Sequence, residues 1–323
     1  LKSNEDLILI STSIFVLLTK RNFPMSTSSK NKHALIGTGV AVVTPFRKDG
    51  KVDYTGLTNV LEHIIKGRCE YVVILGTTGE SPTLKKKEKA EVLKHALKVV
   101  NGRVPVVYGV GGNSTMEVTE TLEHTDFSGV SAILSVAPYY NKPNQRGLYE
   151  HYKAVAESSP IPVIMYNVPG RTAMNMTAET TLKLAHDFPR LVAVKEASGN
   201  MEQIMAVIKD RPKDFLVISG DDLLTLPLIA AGAHGVISVV ANAFPKKYSD
   251  MVRYSLAGEF GKAAPLHYDL MKVTQHFFAD GNPGGVKVAL EALKLCRADV
   301  RLPLVNVNDA LRVAIIKETK RLR

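Results

Sequence analysis

The residue best placed for chemistry is a lysine inside an apolar run, Leu191-Val-Ala-Val-Lys-Glu-Ala-Ser-Gly199. A short, continuous apolar run bounded by turn residues reads as a buried strand of a parallel sheet. Lysine is rarely buried, because desolvating an ammonium is costly unless it is paired or neutralised. Desolvation favours the neutral amine, and a neutral amine attacks ketones to form Schiff bases. The mundane alternative is an amine that escapes to solvent past the strand end, or that pairs with Glu196.

Other chemistry-bearing groups follow apolar runs in the same way. Thr77 and Thr78 lie between Gly76 and Gly79, so backbone and hydroxyls there can approach a ligand carboxylate. The same four residues also make an ordinary turn. Tyr166 closes another run, Val163–Tyr166. It reads either as core with a satisfied hydroxyl or, beside a reactive lysine, as a proton carrier. Arg171 follows Pro169-Gly170, a rigid bend that can aim a guanidinium inwards for bidentate capture of a carboxylate. Tyr139 and Tyr140 read as exposed aromatics at a subunit contact, a role compatible with catalysis.

These residues need a scaffold that gathers strand ends. Apolar, β-branched runs occur at Gly39–Pro45, Tyr71–Leu75, Val104–Val110, Ala132–Val136, Val163–Tyr166, Leu191–Lys195, Leu216–Ser219 and Gly235–Val240. Segments of helical spacing alternate with them, from Tyr54–Gly67 to Phe244–Ala257, and Asp53 and Thr177 are suitable caps for two of these. Eight such units predict an α/β fold, a TIM (β/α)8 barrel over residues 34–258. A doubly wound sheet is the runner-up, but Thr44-Pro-Phe after the first run is no phosphate-binding fingerprint. Residues 259–323 are expected to form a C-terminal helical appendix, broken at Gly281-Asn-Pro-Gly-Gly285 and Arg301-Leu-Pro303. In a barrel of this kind the chemistry sits at the carboxyl ends of the strands, where these polar residues collect.

Composition narrows the classes. The 323 residues are 45% apolar, enough for a large core in one barrel domain. Forty-one basic against 31 acidic residues give a net charge of +10, scattered without a basic block interleaved with aromatics. That pattern gives nucleic-acid binding no support and suits carboxylate substrates. Cys69 and Cys296 form neither a disulfide framework nor a metal cluster, in keeping with a reducing cytoplasm. There is no Gly-x-Ser-x-Gly elbow, Walker loop or His-Glu-x-x-His helix. Asp221-Asp222 lacks the further carboxylates a hard cation wants, and the nine histidines are dispersed. No apolar run reaches transmembrane length. Residues 1–33 differ from the rest and are expected to be an N-terminal extension. Residues 1–24 read as an upstream or cloning-derived segment before Met25, with a membrane or export signal as the rival reading, and 25–33 as a disordered polar tail.

The motifs Gly76-Thr-Thr-Gly-Glu-Ser81, Pro138-Tyr-Tyr-Asn141, Tyr166-Asn-Val-Pro-Gly-Arg-Thr172, Val194-Lys-Glu-Ala197, Ser219-Gly-Asp-Asp222 and Gly235-Val-Ile-Ser238 occur in that order. Together they make the chain, over nearly all of residues 35–315, resemble the dihydrodipicolinate synthase / N-acetylneuraminate lyase family of pyruvate-dependent class I aldolases. The resemblance implies that Lys195 forms a Schiff base with pyruvate and that Tyr166 donates and accepts protons. It also implies that Thr77 and Tyr140 relay protons to solvent, Tyr140 reaching in from a neighbouring subunit. Thr78 and Ile237 match pyruvate-contacting positions, the latter through its backbone, and Arg171 matches the guanidinium that receives the carboxylate of aspartate β-semialdehyde. No metal or organic cofactor is implied. The product would be 4-hydroxy-tetrahydrodipicolinate, on the route to diaminopimelate and lysine. Arg171 and Gly76-Thr-Thr favour this synthase branch; a sugar-acid or other 2-oxo-acid aldolase, such as N-acetylneuraminate lyase, is the alternative.

The resemblance further implies a homotetramer built as a dimer of dimers. Ser81, Asn113, Glu117 and Tyr139 match positions lining an allosteric pocket for lysine. Lys86 and Lys89 stand where inhibited relatives often carry histidine, and extra ammonium groups would repel a cationic effector. Weak or absent lysine inhibition is therefore expected.

Overall fold

A computed structural model describes residues 34–323; the expectations for the N-terminal extension lie outside the described residues. Eight parallel strands close into a barrel in sequence order. They are β1 (Gly37–Ala41), β2 (Tyr71–Ile74), β3 (Val106–Gly109), β4 (Ala132–Val136), β5 (Val163–Asn167), β6 (Leu191–Glu196), β7 (Leu216–Ser219) and β8 (Gly235–Ser238). The helices between them are α1 (Tyr54–Lys66), α2 (Lys86–Val100), α3 (Thr115–His124), α4 (Gln145–Ser158), α5 (Ala178–Asp187), α6 (Met201–Asp210), α7 (Thr225–Ala230) and α8 (Pro245–Leu256). Three more follow: α9 (Phe260–Phe278), α10 (Gly284–Ala292) and α11 (Asp309–Leu322). The TIM barrel with its C-terminal helical segment is thus present.

Every strand of such a barrel is covered on both faces, which is why the runs are apolar throughout rather than alternating. The side chains still alternate in direction with period two. Ala41, Val73, Leu134, Ile164, Tyr166, Ala193 and Ile237 belong to the inner cluster. Val40, Val72, Ile133, Met165, Val194 and Val236 belong to the outer layer beneath the helices. Helix starts are capped as their residue types dictate. The Asp53 carboxylate accepts from the Gly56 amide, and the Thr177 hydroxyl accepts from the Thr180 amide.

Some boundaries move, with local causes. β8 stops at Ser238, short of the expected Val240, because Val240–Asn242 turn as a 3-10 helix. The buried Asp222 carboxylate accepts from the Ser238 hydroxyl and from the amides of Val239 and Val240, drawing the chain off the sheet. β1 ends at Ala41 rather than at Pro45; beyond it the Asn242 side chain takes up the Ala41 carbonyl and the Val43 amide. The Pro169-Gly170 bend is a single helical turn, Pro169–Thr172.

The barrel closes where β1 meets β8, with Gly37 opposite Gly235. Both have positive φ, +106° and +144°, and a Cβ on Gly235 would sit 2.0 Å from the Gly37 carbonyl oxygen. Only glycine fits a seam this close.

Candidate active site

The period-two rule decides what the lysine does. In β6, Ala193 and Lys195 point into the barrel, so Val194 and Glu196 point out. Glu196 is therefore unavailable to Lys195. Its carboxylate takes hydrogen bonds from Asn167 Nδ2 at 3.1 Å and Gln203 Nε2 at 3.1 Å. The Ser198 amide donates a third at 2.8 Å. Burial holds the Glu196 carboxyl above its usual range, and these donors oppose that shift. Escape to solvent is also excluded, because Lys195 is only 5% exposed. No carboxylate lies within 4.0 Å of its ammonium among the described residues.

Tyr166 is its register partner on β5. The Lys195 Nζ lies 4.2 Å from the centroid of the Tyr166 ring. Tyr166 is 5% exposed, and the Tyr152 hydroxyl meets its amide at 3.4 Å. Space for the lysine comes from Gly220, after β7: a Cβ there would lie 3.0 Å from Lys195 Cε and 2.7 Å from Ala197 Cβ.

Both residues open into a cavity of about 470 Å³, lined also by Thr77, Thr78 and Arg171. Thr77 begins a 3-10 turn, Thr77–Gly79, that the Thr44 hydroxyl secures by donating to the Gly79 carbonyl at 2.7 Å. Thr78 is buried. Arg171 is exposed at the rim, on the turn after β5. A buried amine, a phenol, two hydroxyls and a guanidinium around one space can condense a small oxo acid with a second carboxylate-bearing molecule.

A second cavity of about 280 Å³ shares Thr77, Tyr166 and Arg171 with the first and is lined by Ser81, Lys89 and Tyr139. Burial, with Lys86 adding to it, holds the Lys89 ammonium below its usual range.

Other expected residues lie elsewhere. Ile237 is buried in β8 within the inner cluster and lines neither cavity. Tyr140 is 86% exposed, with a φ of +72°, and lines neither cavity of this chain. Asn113 and Glu117 also line neither cavity. The Asn113 carbonyl accepts from Asn141, and Glu117 sits in the first turn of α3. Among the described residues no three of His, Cys, Asp and Glu gather as metal ligands, and no helix is long and apolar enough to cross a membrane.

Sequence reading missed what the C-terminal region supplies. Gln275, Phe278 and Asn282 line the larger cavity. Lys287 on α10 is fully buried, and its Nζ lies 2.5 Å from Glu80 Oε1, with both side chains at 0% exposure. The signal was present, since Lys287 stands in the apolar run Val286-Lys-Val-Ala-Leu290, as Lys195 does in its own.

Comparison with known proteins agrees with this geometry. The profile of the dihydrodipicolinate synthetase family matches residues 34–321. A 4-hydroxy-tetrahydrodipicolinate synthase of Flavobacterium psychrophilum is 54% identical over 289 residues, covering 90% of this chain and 99% of the relative. The crystal structure of a dihydrodipicolinate synthase from Aquifex aeolicus superposes with a TM-score of 0.86 at 40% identity, over 88% of this chain and 97% of that one. The structure of a protein described as the first monomeric dihydrodipicolinate synthase variant superposes equally well, with a TM-score of 0.86 at 35% identity, over 90% and 98%. With barrel, buried lysine and near full-length similarity in agreement, the chain belongs to the dihydrodipicolinate synthetase family.

Proposed function

We propose that the chain condenses pyruvate with aspartate β-semialdehyde to 4-hydroxy-tetrahydrodipicolinate, the step that commits carbon to diaminopimelate and lysine. One observation carries the reading: a lysine ammonium, buried and without a carboxylate partner among the described residues, lies 4.2 Å from a tyrosine ring inside a cavity with a guanidinium at its rim.

The Lys195 amine adds to the pyruvate ketone, and loss of water gives an iminium. Tyr166 hands a proton to the departing hydroxyl and takes protons back in later steps. The iminium draws electrons from the methyl group, which loses a proton to give an enamine. That carbon attacks the aldehyde of the second substrate. The amine of the aspartate semialdehyde then attacks the iminium carbon, closing the ring and releasing Lys195. Overall, two substrates give one product and one water. Thr78 holds the pyruvate carboxylate and Arg171 receives that of the semialdehyde; the Ile237 backbone, near the carboxyl end of β8 but outside the cavity lining, is the second contact to pyruvate in this reading.

Thr77 and Tyr140 complete a proton relay from Tyr166. Tyr140 lies at a left-handed φ, rare for a bulky residue, and is almost wholly exposed, which suits a side chain presented to a neighbouring subunit. The reading therefore includes a homotetramer of two tight dimers. It divides the chain into an N-terminal extension (1–33), a catalytic barrel (34–258) and a C-terminal helical region (259–323). Ser81, Tyr139, Asn113 and Glu117 belong to an effector pocket at the subunit contact. Cys69 and Cys296 are both free thiols, which suits a cytoplasmic enzyme.

Borohydride reduction in the presence of pyruvate tests the chemistry: a pyruvyl adduct on Lys195 is expected, and its absence would refute the Schiff base. A coupled assay of pyruvate with aspartate semialdehyde against pyruvate with N-acetylmannosamine tests the substrate. Turnover of the sugar alone would move the enzyme to the sugar-acid branch.

A further inference from the structure

The motif Asn282-Pro-Gly-Gly285 and the lysine that follows it stand outside the reaction steps above, yet both reach the turn between β2 and α2. Asn282 Nδ2 donates to the Thr78 hydroxyl oxygen at 3.0 Å across 204 residues of sequence. Five residues later, Lys287 Nζ donates to Glu80 Oε1 at 2.5 Å. The other Glu80 oxygen accepts from the Arg301 amide at 3.0 Å. Glu80 itself sits at φ +53°, a left-handed conformation that its buried carboxylate contacts hold in place. The Arg301 guanidinium adds a fork to Glu88 and a bond to the Thr83 carbonyl. The stretch from Thr78 to Glu88 is thus fixed by the C-terminal region at four residues.

The bond to Thr78 has a polarity that bears on binding. A threonine hydroxyl owns one proton and two lone pairs. With Asn282 donating into a lone pair, the Thr78 proton is free to point elsewhere, and it meets no acceptor among the described residues. Thr78 and Asn282 both line the larger cavity, and Asn282 Oδ1 is buried there without a hydrogen-bond partner. A hydroxyl proton aimed into this cavity is a donor for an anionic oxygen.

We propose that Asn282 is a positioning residue for the oxo-acid carboxylate: by donating to Thr78 it turns the Thr78 proton towards the substrate, while the Lys287–Glu80 pair holds the turn that carries Thr78. This rests on the reading of Thr78 as a contact to the pyruvate carboxylate. It makes the helical region after the barrel part of the binding apparatus. It also predicts an effect confined to one substrate, because Arg171, which serves the second, is carried by a different turn.

A double-mutant cycle tests it in the full-length protein, using Asn282→Ala, Thr78→Val and the pair. KM for each substrate, kcat and the pyruvate dependence of borohydride trapping are measured. Loss of one charge-assisted hydrogen bond predicts that Asn282→Ala raises KM for pyruvate about tenfold, with KM for the semialdehyde within about twofold of wild type. Because Asn282 acts through Thr78, Asn282→Ala should add nothing to Thr78→Val. Additive effects in the pair, or equal rises in both KM values, overturn the proposal. If Asn282→Ala fails to fold, Asn282→Asp replaces it. Its carboxylate can only accept, so it draws the Thr78 proton away from the cavity and should raise KM for pyruvate by more than tenfold, roughly, given the added negative charge. A wild-type KM in that variant equally overturns the proposal. Failure of the wild-type enzyme to trap pyruvate would instead refute the Schiff-base reading, so the two outcomes are distinct.

Discussion

Tyr166 and Lys195 stand directly opposite each other in the β5–β6 ladder, so the phenol ring and the ammonium share one side of the sheet by register alone. Tyr166→Phe keeps the ring and removes only the hydroxyl. It should lower kcat by about 10²–10⁴-fold, the usual worth of a positioned proton carrier, while still allowing slow borohydride trapping. Lys195→Ala and Lys195→Arg should both abolish trapping, since neither side chain carries a primary amine; mass spectrometry of the reduced protein reads the result.

Gly220 keeps a path clear for the lysine stem. Gly220→Ala places a methyl group 3.0 Å from Lys195 Cε and 2.7 Å from Ala197 Cβ, so one of them must move. A shift of the order of 1 Å in a reacting amine costs on the order of 10²-fold in rate. The variant should trap pyruvate far more slowly and lose about 1–3 kcal/mol of stability, the usual cost of overpacking; borohydride trapping and denaturant unfolding read the two effects.

The pair Lys287–Glu80 is buried on both sides, and burial holds the Lys287 ammonium below its usual range against the opposing pull of Glu80. Removing one member leaves an uncompensated charge, so Lys287→Met and Glu80→Met should each destabilise by about 3–5 kcal/mol. The double variant should recover most of that loss. Denaturant unfolding with pyruvate absent measures all three.

Glu88 gives the acid limb of stability a specific contributor. Hydrogen bonds from the Arg301 guanidinium, with a further bond from the Lys85 amide, lower its carboxyl to about 2. A carboxyl depressed on folding adds stability that is fully present above its unfolded pKa of about 4.3 and is lost as pH falls towards the folded value. Glu88→Gln should therefore lower stability at neutral pH and flatten its decline between about pH 4.3 and 2. Thermal melts across that window would show the difference.

Lys89 lines the smaller cavity as a half-buried cation, and Lys86 is close enough to add to its downward shift. A free lysine entering there meets like charge. Inhibition by L-lysine should be weak or absent at sub-millimolar concentration, and Lys89→His should strengthen it. A steep inhibition curve for the wild type would contradict this.

The barrel was legible because its signal is local and repeated: each strand is an apolar run, and each helix carries its own spacing and cap. Lys195 stood out for the same reason, as a charge where the run demanded none. That rule applies equally to Lys287, however, and sequence cannot say which of two buried lysines meets a carboxylate. The answer lies in Glu80, 207 residues away. Thr78 was named, but its bond from Asn282 escaped notice for the same reason, since contacts between distant segments leave no trace in local periodicity. The early end of β8 depended on Asp222, whose carboxylate competes for the Val239 and Val240 amides. Asn113 and Glu117, named by resemblance, stand clear of both cavities of a single chain.

The glycine seam between β1 and β8 joins the first strand to the last, across nearly 200 residues. During synthesis the sheet keeps two open edges until Ser238 has emerged from the ribosome, and each is a template for pairing with another nascent chain. Yield in a host cell should therefore depend more on chaperone supply and temperature than on the melting point of the finished enzyme, and a bulky residue at position 235, pressed against the Gly37 backbone, would hinder closure of those edges.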